Sequence, residues 1–165
     1  MTLQSRLASH LRSGQVSRVV YGSIIGLALV LTLEAHPPRL GVAIGTLVAT
    51  ALAVALAELY SEVIGGRARA AMGGPSEPVG AIASEAFAVA FGIAFPSVFF
   101  VAAAFGLFDY DLAFALAKWT GLGLIAAYGY VAGRLSGSGP GRALLEAAGV
   151  ALVAGVLIVL KALVH

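Results

Sequence analysis

Four glutamates stand inside otherwise apolar stretches: Glu58 and Glu62 in one, Glu85 in a second and Glu146 in a third. Glu58 and Glu62 are four residues apart, which puts both on one face of a helix. Carboxylate oxygens bind hard or borderline divalent cations and carry protons. Ionised groups inside a bilayer cost at least about 2.5 kcal/mol near its centre, so each is a candidate for function. All four fall near the same end of their stretches, and three helices therefore bring them to one depth. If they converge, repulsion among like charges favours either a shared proton or a bound cation. The competing reading is that each glutamate snorkels to lipid headgroups, paired with Arg67, Arg69, Arg134 or Arg142.

Two further features interrupt the apolar runs. Lys118 lies deep in the fourth stretch with Asp111 two turns before it, a spacing that suggests a structural charge pair, with Glu34 and Asp109 as other partners. Pro96 falls in the middle of the third stretch, in Phe91-Gly92-Ile93-Ala94-Phe95-Pro96. Proline removes one backbone hydrogen bond and frees the carbonyl of Gly92, which predicts a kink. Such breaks line pathways in some transporters and are tolerated in ordinary spans in others.

The elements that must position these groups are membrane spans. Of the 165 residues, 60% are hydrophobic and only 11% charged, too few charges to clothe a water-exposed domain of this size. A hydrocarbon core of about 30 Å needs about 20 helical residues. The stretches 16–33, 40–64, 81–105, 110–133 and 143–164 meet that length and predict an all-α integral membrane protein of five transmembrane helices. The residues after the first stretch offer no small-residue cleavage site, so it reads as a retained span rather than a signal peptide. Residues 1–15, with Leu3, Leu7 and Leu11 one turn apart, read as a short amphipathic segment at the cytoplasmic interface or a frayed tail. The segment 16–165 forms the transmembrane domain.

Charge sets the orientation. Arg6, Arg12, Arg18, Arg67, Arg69, Arg134 and Arg142 fall on one side of this threading, and only Arg39 and Lys161 on the other. Positive loops stay in the cytosol, so the N-terminus is expected inside and the C-terminus outside, in a cell inner membrane. The Gly- and Pro-rich segment 65–80 reads as a flexible cytoplasmic loop. The basic balance is spread over membrane flanks without interleaved aromatics, which argues against nucleic-acid binding. Cysteine is absent, which removes disulfides and thiolate chemistry. No nucleophile and base fall at matching depth, so an enzyme is not expected. Gly22 and Gly26, Gly41 and Gly45, and Gly129 and Gly133 are pairs four apart that allow helices to approach closely.

Five spans with a cytoplasmic N-terminus and outer C-terminus resemble the vacuolar iron transporter family. Gly22 with Ala28-Leu29-Val30 looks like the family's first span. Ala57-Glu58-Leu59-Tyr60-Ser61 is similar to its small-Glu-Tyr-x-Ser pattern with a one-residue slip, and Phe91–Pro96 resembles its proline-containing third span. The stretch from Gly133-Arg134-Leu135 to Gly149 looks like its connection between spans four and five. The resemblance implies a homodimer that moves divalent iron or manganese, in exchange for protons. This chain departs from the pattern at three places. Tyr21 stands where the family carries its first-span aspartate, no span holds a methionine, and the connection after span two is too short for a cytosolic metal-binding domain. Two readings follow. In the first, the chain moves a divalent cation or protons through Glu58, Glu62, Glu85 and Glu146. In the second, it is a non-transporting membrane component that assembles with a protein partner.

Overall fold

The computed structural model describes the backbone of residues 3–74 and 78–164, and the side chains of 15–74, 78–152 and 154–156. Six helices follow one another: α1 (Leu3–Ala35), α2 (Leu40–Ala71), α3 (Val79–Ala94), α4 (Ser97–Ala104), α5 (Tyr110–Leu135) and α6 (Pro140–Val164). No strand occurs among the described residues. Three helical segments are long and apolar enough to cross a membrane, namely Gln15–Ala35, Leu40–Ala71 and Tyr110–Leu135. The pair α3 and α4 passes the same test jointly as one broken span. Exposed Phe87, Trp119, Leu145 and Leu152 would form apolar patches intolerable on a monomer in water and ordinary against lipid. The chain is thus a multi-pass helical membrane protein by length and composition.

Helix α1 is the central element, packing on α3 and α5 most extensively, while α2 lies outside α3 and hardly touches α1. Glycine decides which helices meet. A Cβ on Gly92 would lie 2.6 Å from the Ser23 nitrogen and the Val19 carbonyl oxygen, and one on Gly26 would lie 2.9 Å from the Gly92 oxygen. Gly22 abuts the Val89 backbone in the same way, so α1 and α3 touch main chain to main chain. Gly129 and Gly133 seat α6 against α5, where a Cβ on Gly133 would come 2.9 Å from Ala143 Cα. Gly41 and Gly45 face open space instead.

Pro96 divides the expected third span, and α3 and α4 meet at 50°. Past the break, Val98 donates to the Phe95 carbonyl and Phe99 to that of Pro96, a tighter three-residue spacing. The Gly92 carbonyl, deprived of a donor by Pro96, is turned onto Gly26 rather than into a cavity. Around the bend Phe100 sits edge-on to Tyr110 and Phe114, with ring centres 5.9 and 4.9 Å away, and closes one core cluster with Val30 and Leu47. The Tyr110 hydroxyl donates to the Pro38 carbonyl at 2.8 Å, tying the turn between α1 and α2 to the start of α5.

Two expectations need correction. The segment 65–80 is not a loop throughout, since α2 continues to Ala71. Gly65 and Gly66 each cost a helix only about 1 kcal/mol, and Arg69 reaches back to Glu62 at 3.1 Å across that stretch. The helix ends where Gly73 takes φ +78°, with Gly73 N–H on the Ala70 carbonyl and Gly74 N–H on that of Arg69. This left-handed cap needs glycine, and Gly106 and Gly137 close α4 and α5 alike. Second, the segment 1–15 is not a separate helix, because α1 runs unbroken from Leu3 into the span. The side chains of Leu3, Leu7, Leu11, Arg6, Arg12 and Lys161 lie outside the described residues.

Candidate functional site

Counting along the helices locates the glutamates. From Arg18 to the outer end of α1 is about 26 Å, and from the start of α2 to Glu58 about 27 Å, at 1.5 Å per residue. Both residues therefore stand close to one boundary of a hydrocarbon layer about 30 Å thick. Glu85, nearly two turns into α3, reaches the same level from the third helix.

There Arg18 of α1 gathers the carboxylates. Its Nη1 pairs with Glu58, and its Nη2 lies 3.4 Å from Glu62 Oε1 and 3.2 Å from Glu85 Oε2. Arg69 holds the other oxygen of Glu62 at 3.1 Å. The four central side chains are between 16% and 28% exposed, partly withdrawn from solvent. The planar guanidinium suits this role, since its fixed fork of donors serves several carboxylates at once. Arg18 is also the chief polar tie between α1 and α2, which otherwise scarcely meet.

Glu146 does not join them. It lies on α6, where Ser138 Oγ donates to it at 3.0 Å and Arg142 stands 3.5 Å away. Among the described residues no group of three His, Asp or Glu side chains is spaced to hold a metal ion. Glu58, Glu62 and Glu85 converge on a cation supplied by their own chain.

A groove of about 500 Å³ opens between α1 and α2 onto this cluster, lined by Ser17, Arg18, Tyr21 and Glu58. Tyr21 is half exposed on its wall. A larger groove of about 600 Å³ lies between α1, α3 and α5, but its walls are apolar residues such as Phe87, Phe91 and Val131, with Gln15 and Ser84 as its polar end. That groove offers no chemistry comparable to the charged one.

Lys118 pairs with Glu34 of α1, not with Asp111, which is exposed. Seven residues along one helix separate Asp111 from Lys118 by about 10.5 Å, whereas α1 brings Glu34 alongside. Lys118 is the deeper partner, so the pair is asymmetric. Removing Glu34 strands a cation in the span, and removing Lys118 leaves a carboxylate at a helix end within reach of water. Glu34→Ala is expected to lower the melting temperature in detergent more than Lys118→Met does; equal losses would contradict this placement.

Arg18 was missed as a site residue by sequence reasoning, which placed it among the arginines that flank spans. Its signal was depth, since it lies as far from the outer end of α1 as Glu58 does from that of α2. No family description, curated protein or solved structure matches the chain.

Proposed function

We propose that the chain crosses the membrane five times, with its N-terminus in the cytosol and its C-terminus outside, and passes a cation or protons through the carboxylates gathered on Arg18. The fifth span is α6, whose 25 residues extend about 37 Å. The observation that carries the reading is the convergence of Glu58, Glu62 and Glu85 from two helices on one guanidinium of a third, beside a polar groove. Three carboxylates held together at a membrane boundary form an entry point for positive charge. The resemblance to vacuolar iron transporters adds a homodimer and a cell inner membrane as its setting.

A second reading, an assembly component without transport, is favoured by one observation: Arg18 already satisfies the carboxylates. Flux separates the two. Purified protein in liposomes is expected to carry a current driven by a pH or cation gradient, and Glu58→Gln or Glu62→Gln is expected to reduce it to that of empty liposomes. Current unchanged in both variants removes the site assignment, and no current in the unsubstituted protein favours the assembly reading.

A further inference from the structure

The charges around Arg18 do not balance. Glu58, Glu62 and Glu85 bring three negative charges, and Arg18 and Arg69 two positive ones. Among the described residues, the ionisable groups at the cluster are Tyr21 on α1, Glu58, Glu62 and Arg69 on α2, and Glu85 on α3, with Arg67 lining the recess beside Glu62 and Arg69. Over the side chains joined in ion pairs among the described residues, the sum is one net negative charge in a setting partly withdrawn from water.

We infer that Arg18 is the site's resident cation and sets its selectivity: by filling the space between the carboxylates, it leaves room for a single proton and excludes divalent metal ions. This rests on the reading that the cluster admits positive charge. One proton brings the cluster to neutrality. A divalent ion would overshoot to a net positive charge and would stand within a few ångströms of a fixed guanidinium that cannot give up its own proton. It would also need six or more oxygen ligands, whereas Arg18 already occupies oxygens of all three glutamates. A proton needs no such volume.

Arg18 thereby does with a tethered side chain what a metal would do in a bare carboxylate cluster. The family likeness points to divalent iron or manganese, and Arg18 turns the same kind of site against them. Tyr21 reinforces this, since a neutral phenol on the groove wall supplies no charge to attract a metal.

Manganese binding to the purified full chain tests the inference without relying on transport. Mn²⁺ is titrated by calorimetry and by loss of its free-ion paramagnetic resonance signal, at mildly alkaline pH where carboxylates are ionised. The unsubstituted protein and Arg18→Lys are expected to show no saturable binding. Arg18→Met, with the resident charge gone, is expected to bind Mn²⁺ saturably, and Glu58→Gln added to it is expected to abolish that binding. Saturable Mn²⁺ binding by the unsubstituted protein that Glu58→Gln removes would overturn the inference. So would an Arg18→Met protein that elutes as a single species and binds no Mn²⁺; should that variant not fold, the titrations of the unsubstituted and Arg18→Lys proteins still decide. Absence of any proton current in liposomes would instead count against the transport reading and leave the metal result standing.

Discussion

Valine at Gly22 or Gly92 will prevent the bundle from forming, whereas alanine at Gly41 or Gly45 will leave it intact and raise its stability. Gly22, Gly41 and Gly45 sit in the same kind of small-residue spacing, yet they meet different surroundings, and Gly92 shares those of Gly22. At Gly92 even a single Cβ would lie 2.6 Å from two backbone atoms of α1, and backbone cannot rotate away as a side chain does. Inserting atoms into a close-packed contact costs about 1–3 kcal/mol where side chains can adjust, and more where they cannot. At Gly41 and Gly45 nothing lies within 4 Å among the described residues, so at Gly45, inside the helix, alanine gains the roughly 0.5–1 kcal/mol by which it exceeds glycine, and at Gly41, in the first turn, less. Size-exclusion profiles and melting temperatures in detergent measure both. A monodisperse Gly92→Val protein would refute the backbone contact between α1 and α3.

Arg18→Met will be the most destabilising polar substitution in the chain, and removing a second charge will relieve it. Exposed ion pairs are worth about 1 kcal/mol or less, and breaking a fully buried one costs about 3–5 kcal/mol. The cluster lies between these limits in exposure, so a loss of about 2–3 kcal/mol is expected. The cost arises from three carboxylates left facing one another without a cation between them, more than from the missing guanidinium hydrogen bonds themselves. Arg18→Met combined with Glu58→Gln should therefore be more stable than Arg18→Met by itself, a sign opposite to that of independent sites. Equal or additive losses would show that the glutamates are solvated separately. Because a ligand that binds only the folded state stabilises it, Mn²⁺ should also raise the melting temperature of Arg18→Met and not that of the unsubstituted protein.

The helical architecture was legible because apolar length and proline carry it. Five apolar stretches give the helices, and Pro96 gives the break between α3 and α4. The glycine pairs were legible as contact motifs but not as to which is used, since spacing is a property of one helix and contact a property of two. Gly22 and Gly26 meet α3, Gly129 and Gly133 meet α6, and Gly41 and Gly45 meet nothing among the described residues.

The candidate site was legible in depth and not in direction. Counting residues puts Glu58, Glu62, Glu85 and Glu146 at one level of the bilayer, but α6 packs chiefly on α5 and its Glu146 pairs with Arg142 of its own helix. Arg18 escaped notice for a related reason. The rule that positive charges flank spans on the cytosolic side explains its presence so completely that its reach to three carboxylates is invisible without the packing of α1 on α3. Lys118 chose Glu34 over Asp111 on the same ground, since a neighbouring helix is closer than two turns of one's own. The continuation of α2 through Gly65 and Gly66 was hidden because composition reports how readily a helix ends and not whether an ion pair holds it.

All of this requires that the Arg18 cluster stand at the cytosolic boundary of a threaded bundle. The absence of cysteine makes a direct test available, with single cysteines at Leu107, between α4 and α5, and at Ser138, between α5 and α6. In intact cells a membrane-impermeant maleimide is predicted to label Leu107→Cys at once and Ser138→Cys only after the membrane is opened. Labelling of both from outside, or of Ser138→Cys alone, would contradict it.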